Sequence, residues 1–154
     1  MPPRSSISEQ MTALSDPEYI SYECTRQTFR PLTTYPVRWL DWEEDYPLIQ
    51  EFWPSQTPNG WYQARLQGFQ YCAVIEHGQI RALAAVWRYS DTAWEVASVY
   101  TQPEARRQGY AKAVVSFVTA YILEMSKRAT CNTSRDNIAM QRVAESVGFQ
   151  RVGS

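Results

Sequence analysis

Residues 99–111 read VYTQPEARRQGYA and contain the most informative turn of the chain. An apolar run predicts a strand that ends near Thr101, and a helix is predicted to begin shortly after Arg106. The first amide N–H groups of a helix have no partner within it and lie at the positive end of its dipole. Gly109 lets the backbone approach an anion closely, and the small Ala111 leaves the space beside it clear. The turn therefore predicts a binding site for a pyrophosphate.

Upstream of this turn the hydrophobic pattern predicts a three-stranded meander. Two apolar stretches, 70–76 and 79–89, are joined by His77 and Gly78, which indicates a β-hairpin. After a turn over 90–92, a third strand is expected over 93–101 and leads into the quoted stretch.

Downstream, residues 109–125 carry apolar side chains at helical spacing and predict an amphipathic helix. A short strand over 129–133 follows, and Asp136 or Asn137 can cap a last helix that Gly148 closes. The apolar face of that helix consists of Met140, Val143, Ala144 and Val147.

The first forty residues of the predicted domain give weaker signals. Residues 20–29 form a short extended segment without an obvious partner, and 36–40 read as a strand. Asp41 can cap a helix that begins at Trp42, with Glu44 completing a capping box. We favour helix-start electrostatics for this acidic cluster, and an amine-attracting patch is the alternative.

A turn over 58–60 precedes another short helix over 61–66. The element order predicts one mixed α+β domain over 17–154, behind a loose N-terminal tail over 1–16.

Composition excludes several classes of protein. With 154 residues, 44% hydrophobic and 20% charged, the chain has the profile of one globular domain. A net charge of −1 without a basic block argues against nucleic acid, and no apolar run is long enough for a membrane span. Three cysteines without a C-x-x-C pair argue against a disulfide framework or a metal site, so we expect a reducing, cytoplasmic setting.

Side chains that could carry other chemistry are few. His77 is the only histidine, and its place in a predicted hairpin turn argues against a catalytic role. Aromatic residues make up 14% of the chain and are expected in the core. Trp53, Trp61 and Tyr62 could instead line a pocket for an aromatic or cationic amine.

The quoted stretch resembles the GNAT superfamily of acyl-CoA-dependent N-acetyltransferases. Arg106-x-x-Gly109-x-Ala111 fits the family pattern Q/R-x-x-G-x-G/A, with the meander before it and an amphipathic helix after it. Asn137 and the ending ESVGF over 145–149 are similar to the family's last helix. The resemblance covers residues 36–149 and implies a GNAT-like fold: a mixed central sheet, a meander plus a parallel strand splayed at the cofactor site, and helices on both faces.

The resemblance also implies roles for individual residues. Glu95 stands eleven residues before Arg106, where the histone acetyltransferase branch places its general base. On a regular strand Glu95 would share a face with Ala97 and Val99, and the Val99 N–H would polarise the thioester carbonyl. An exposed strand carboxylate is the alternative for Glu95, and a plain helix cap is the alternative for Asn137. The cofactor, acetyl-CoA (coenzyme A), is expected to contact Val99, Tyr100, Thr101, Arg106, Arg107, Gln108, Gly109, Tyr110, Ala111, Lys112 and Asn137.

The chain departs from the family pattern in two places. Many relatives carry a tyrosine five residues before the phenylalanine of the ending, where it protonates the leaving thiolate, and here that position is Ala144. Water, Tyr100 or a residue of the N-terminal segment could replace it. Relatives also add one or two strands after Phe149, so we expect the 20–29 segment or a neighbouring subunit of a homodimer to cover the sheet edge.

The sequence therefore predicts an N-acetyltransferase. It would move an acetyl group from acetyl-CoA to a primary amine, on a small molecule or a peptide, by direct attack in a ternary complex. Two alternatives remain open: a catalytically silent acyl-CoA-binding regulatory module, and an aromatic-rich interaction domain without a cofactor.

Overall fold

Seven strands and four helices follow one another along the residues that the computed structural model describes, 18–32 and 34–152. The predicted tail, 1–16, lies outside these residues. In chain order the elements are β1 Tyr19–Cys24, β2 Arg38–Trp39, α1 Tyr46–Phe52, α2 Pro58–Leu66, β3 Phe69–Glu76, β4 Gln79–Trp87, β5 Ala93–Thr101, α3 Tyr110–Glu124, β6 Arg128–Ser134, α4 Ile138–Val147 and β7 Gln150–Arg151.

The strands form one mixed sheet in the order β2-β3-β4-β5-β6-β1-β7. All neighbours are antiparallel except β5 and β6, which run parallel. Parallel pairing is confined to the first residues of these two strands, Ala93–Glu95 against Arg128–Thr130, and the strands separate beyond that point. The predicted fold, a meander followed by a splayed parallel strand, is confirmed.

The β3–β4 hairpin forms where the sequence predicts it. His77 and Gly78 both adopt positive φ angles, 53° and 74°, as a two-residue type I′ turn requires. Along the strands that follow, successive side chains point to opposite faces of the sheet. Cys72 and Val74 therefore lie on one face, and Tyr71 and Ala73 on the other.

Each face of the sheet is covered by a separate core. The first core packs α3 and α4 against one face, with the fully buried Val114, Val118 and Ile122 of α3 at its centre. The second core packs α1 and α2 against the other face and contains Ile49 and Trp61. This arrangement matches the predicted helices on both faces of the sheet.

Strand β1 settles what covers the sheet beyond β6. Its six residues pair antiparallel with β6, from Tyr19 opposite Ser134 to Cys24 opposite Ala129, and β7 pairs with its other edge. The predicted 20–29 segment therefore supplies the missing strand from within the chain, although the strand ends at Cys24 rather than Phe29.

The start of α1 corrects the sequence prediction. Asp41 does accept from the N–H groups of Glu43 and Glu44, at 3.0 and 2.8 Å, but residues 42–45 form turns and the helix begins at Tyr46. The reciprocal bond comes from Asp45, whose carboxylate accepts from the Asp41 N–H, and not from Glu44. These bonds support helix-start electrostatics as the role of the acidic cluster.

Two other bounds differ from those predicted. Helix α2 includes the expected turn over 58–60, because Thr57 caps it by accepting from the Gly60 N–H at 3.0 Å. Strand β2 is limited to Arg38–Trp39, opposite Ala73 and Cys72 of β3, although the Leu40 N–H also donates to the Tyr71 carbonyl at 2.9 Å. Asp45 binds Arg38 at 2.8 and 2.9 Å, which holds this short strand to the start of α1 and lowers the pKa of the Asp45 carboxyl.

No helix in the described part of the chain is long and apolar enough to cross a membrane. Over the same residues, no group of three or more His, Cys, Asp or Glu side chains could hold a metal ion. Cys24, Cys72 and Cys131 are buried free thiols.

Candidate active site

The site lies where β5 and β6 separate. The last parallel pair joins Glu95 to Thr130, and beyond it 96–101 has no β6 residue beside it in the pairing register. An extended ligand can hydrogen-bond to such a free strand edge as an added strand would. The splay therefore opens a slot alongside the second half of β5.

A β-bulge shapes this half of β5. The register against β4 shifts by one between the pairs Ala85–Ala97 and Leu83–Tyr100, and Ser98 adopts a positive φ of 57°. Two residues, Ser98 and Val99, thus stand opposite one residue of β4. Bulges of this kind bend a strand and re-aim side chains, and they are common beside active sites.

The bulge contradicts the expectation that Glu95, Ala97 and Val99 share a face. Ala97 packs with the α1/α2 core, whereas Val99 packs with the α3/α4 core. The extra residue reverses the alternation of side chains after Ala97. Glu95 and Val99 therefore lie on opposite faces of β5.

Glu95 is a buried carboxylate, only 2% exposed, so the alternative of an exposed strand carboxylate is wrong. The side-chain amide of Asn132 on β6 donates to its Oε1 at 3.1 Å. The amide oxygen of Asn132 in turn accepts from the Ser21 hydroxyl on β1 at 2.8 Å. Sequence reasoning missed Asn132 and Ser21; alternation along β6 could have placed Asn132, but nothing in the sequence fixes the register of β1.

The start of α3 forms an anion cradle, a name used here for the free backbone N–H groups of Tyr110, Ala111 and Lys112. Within 18–32 and 34–152 these groups donate to no protein acceptor, and the first bond of the helix is donated by Ala113 to Gly109 at 3.2 Å. Gly109 is the N-cap, with a φ of 88° and no capping side chain. A short 3-10 turn, Pro103–Ala105, connects β5 to this region.

The charged and polar side chains around the cradle are exposed, namely Arg106, Arg107, Gln108 and Lys112. Arg106 folds back on the end of β5: its Nε donates to the Thr101 carbonyl at 3.4 Å, and its guanidinium lies 5.8 Å from the Tyr100 ring centroid. Arg107 has a positive φ of 66°, so the turn is left-handed at two places, Arg107 and Gly109. Such turns direct successive N–H groups into one concavity.

Tyr110 contributes only its backbone to the cradle. Its side chain is buried, and its hydroxyl donates to Glu76 at 2.7 Å. This bond to a carboxylate raises the pKa of Tyr110 to about 12.

Three further residues considered for the site are Asn137, Ala144 and Tyr100. Asn137 follows β6 and caps α4, accepting from the Met140 N–H at 3.0 Å, so the helix-cap role is present. Ala144 is fully buried in the α3/α4 core. Tyr100 is half-buried and packs against Phe52 of α1, with ring centroids 5.5 Å apart.

The three aromatic residues considered for an acceptor pocket differ in burial. Trp61 is buried in the α1/α2 core, and its Nε1 donates to the Trp42 carbonyl at 2.6 Å. Trp53 packs against the same core, whereas Tyr62 is 56% exposed. The prediction that these aromatic residues lie in the core is thus confirmed for Trp61.

The splayed strands, the bulge and the helix start belong to a mixed α+β fold, and the comparisons with known proteins identify its family. The family model described as "Acetyltransferase (GNAT) family" matches residues 34–149, so the chain belongs to the GNAT acetyltransferase family. No curated protein sequence shows a significant match.

Solved structures share the fold at low sequence identity. An acetyltransferase from the GNAT family of Colwellia psychrerythraea superposes with a TM-score of 0.71 at 16% identity, covering 95% of this chain and 59% of that one. A GCN5-related N-acetyltransferase from Kribbella flavida gives 0.64 at 16% identity, covering 86% and 53%. This chain thus spans less than two thirds of the length of these two proteins.

A third structure is AAC(6')-Iy in complex with the bisubstrate analog CoA-S-monomethyl-acetylneamine. It gives a TM-score of 0.62 at 17% identity and covers 77% of this chain and 92% of that one. The same protein, an aminoglycoside N-acetyltransferase, also matches in a complex with CoA.

Proposed function

We propose that the protein is an N-acetyltransferase that transfers the acetyl group of acetyl-CoA directly to a primary amine while both substrates are bound. The observation that carries the proposal is the anion cradle at the start of α3, directly after the open edge of β5. An N-terminal helix turn suits a pyrophosphate, and a free strand edge suits the amide-containing arm that follows it in coenzyme A. Membership of the GNAT family and the CoA complexes of a structural neighbour support the same assignment.

Backbone amides and basic side chains of the chain would bind the cofactor. The cradle amides bind the pyrophosphate, and Arg106, Arg107 and Lys112 screen its charge. The backbone of Val99 and Thr101 pairs with the pantetheine arm, and the Val99 N–H stabilises the negative charge on the thioester carbonyl oxygen. Acetyl-CoA supplies the acetyl group.

Glu95 is the proposed general base. It accepts a proton from the amine, directly or through a water, as the nitrogen bonds to the acetyl carbon and the bond from that carbon to sulfur breaks. The thiolate takes up a proton from water or from Tyr100, because Ala144 offers none. The acceptor is an amine on a small molecule or a peptide, and the proposal includes a cytoplasmic setting; the expected homodimer is not part of it, because β1 already covers the edge of β6.

The test begins with binding. Calorimetry should show CoA binding to the wild-type protein, and thiol release from acetyl-CoA should follow with one class of a panel of amino acids, polyamines, aminoglycosides and peptides. CoA binding without thiol release would favour the silent regulatory module, which the buried Ala144 supports. Absence of CoA binding would overturn both and favour the interaction domain.

Two matched variants locate the binding site. Ala111→Glu and Ala139→Glu each place a carboxylate at the second residue of a helix, α3 and α4 respectively. The first puts a negative charge in the cradle, so we expect CoA affinity to fall about tenfold or more. The second should leave the affinity within about twofold. Equal affinities in the two variants would place the cofactor elsewhere.

A further inference from the structure

A segment between β1 and β2 runs along α3. Its described residues, 25–32 and 34–36, form the strap. The Arg26 guanidinium donates to the Leu123 carbonyl at the end of α3, at 2.8 Å. Further along, the Leu32 N–H donates to the Ser116 hydroxyl in the middle of the helix, at 2.9 Å. The strap therefore runs antiparallel to α3 and approaches its N-terminus.

The strap contacts the cofactor turn through Tyr35. Its hydroxyl donates to the Gln108 carbonyl at 2.7 Å, and its ring lies over the Tyr110 ring with centroids 4.2 Å apart. The ring also borders Gly109, where an added Cβ would lie 3.7 Å from Tyr35 Cε2. Tyr35 therefore contacts three consecutive residues at the helix start.

The bond to Gln108 fixes the peptide unit that precedes the cradle. The Gln108 carbonyl, which precedes the N-cap Gly109, accepts from Tyr35, whereas the Lys112 N–H is free as in the first turn of any helix. The C=O and N–H of one peptide unit point in opposite directions. Fixing the Gln108 carbonyl toward the strap thus directs the Gly109 N–H away from it.

We propose that Tyr35 is a positioning residue of the cofactor site: its hydrogen bond to Gln108 orders the N–H groups of Gly109 to Lys112 for a pyrophosphate. This inference rests on the proposed function. In this inference the strap, which follows β1, affects cofactor affinity. It does so by ordering the helix start and not by contacting the cofactor. The stacking of Tyr35 on Tyr110, which Glu76 anchors from the hairpin, gives the strap a rigid support.

The experiment compares Tyr35→Phe with Tyr121→Phe. Both changes remove one hydroxyl that is hydrogen-bonded in the structure, but Tyr121 bonds to Arg88, far along α3. Tyr35→Phe keeps the ring and its stacking. We expect its Kd for CoA, measured by calorimetry, to rise about fivefold, which corresponds to one lost hydrogen bond. Tyr121→Phe should stay within about twofold of the wild-type value.

A second ligand separates positioning from general damage. Pantetheine lacks the pyrophosphate, so its affinity, followed by NMR through the Val99 and Thr101 amides, should not change in Tyr35→Phe. In the same spectra, without ligand, the Gly109 amide signal should shift, because its peptide unit loses the bond that fixes it.

The outcomes are distinct. Wild-type affinity for CoA in Tyr35→Phe, or an equal loss for CoA and pantetheine, overturns the role of Tyr35 and leaves the proposed function in place. A wild-type protein that binds no CoA overturns the proposed function itself.

Discussion

Glu95 is a single side chain whose position depends on three strands. Burial of a carboxylate is costly unless hydrogen bonds replace its water. Here the side-chain amide of Asn132 supplies one such bond. The Ser21 hydroxyl donates to the amide oxygen of Asn132, so the NH2 end of the amide faces the Glu95 carboxylate. This network holds Glu95 at the last parallel pair of β5 and β6, next to the slot.

The first prediction concerns this residue. Glu95→Gln keeps the shape of the side chain but removes its capacity to accept a proton, so kcat near pH 7 should fall about 100-fold. The loss should diminish toward pH 10, because a growing fraction of the amine is then already neutral. Thiol release measured from pH 6 to 10 checks both statements. Glu124→Gln, an exposed change at the far end of α3, is the control. Equal rates for Glu95→Gln and wild type at every pH would remove Glu95 from the role of base.

For single residues, the sequence indicates candidate positions more readily than it indicates the face of the sheet to which each side chain points. Glu95 follows from the family resemblance, and the cradle residues follow from local helix chemistry. The face of Val99 was predicted wrongly, because a bulge breaks the alternation on which that prediction depends. Ser21 and Asn132 meet only through the pairing of β1 with β6, which is a contact between distant parts of the chain.

Among the elements, the strap and the end of α4 are packed against each other. The Arg30 N–H donates to the Val147 carbonyl at 2.8 Å. Gly148 ends α4 with a φ of 109°, and a Cβ there would collide with the Thr28 carbonyl oxygen. Glycine is thus required at this position for two reasons, its backbone conformation and the close approach of the strap.

The second prediction separates these two reasons. Gly78→Ala changes a glycine that also has a positive φ, 74°, but has no atom within 4 Å of the added Cβ. It should cost about 1 kcal/mol of unfolding free energy, the conformational penalty alone. Gly148→Ala should cost about 3 kcal/mol or more, since backbone must also move. Urea denaturation of both variants gives the comparison, and equal losses would show that the strap yields easily.

Elements with a strong period of their own were predicted closely, and those that depend on distant partners were not. Strand β5 and helix α3 lie within a residue of their expected bounds, because alternation and the i, i+3, i+4 stripe are local signals. Helix α1 begins four residues later than expected. Its start is held by the ion pair between Asp45 and Arg38, which comes from the neighbouring strand.

Considered as a whole, the molecule buries ionisable groups on both sides of its sheet. Cys72 and Cys131 lie in the α3/α4 core, and Tyr71 lies in the α1/α2 core. Burial raises the pKa of all three groups above their usual values, 9.0 for the thiols and 10.0 for the phenol. Chain composition alone could not reveal this, since it depends on how completely the two cores exclude water.

These shifts set the pH dependence of stability at the alkaline end. A group whose pKa is higher in the folded state than in the unfolded state favours the folded state as long as the group is protonated in both. This contribution to the unfolding free energy is lost as the pH rises above the pKa of the group in the unfolded state. The unfolding free energy should therefore be level near neutral pH and fall as the pH passes about 9, with a slope that approaches about 1.4 kcal/mol per pH unit for each buried thiol once the unfolded thiols are ionised. Urea denaturation under reducing conditions at pH 7 to 10 measures this. The double variant Cys72→Ala, Cys131→Ala should show a shallower decline, although its stability at pH 7 is lower. An unchanged slope would mean that the thiols are not the groups that titrate.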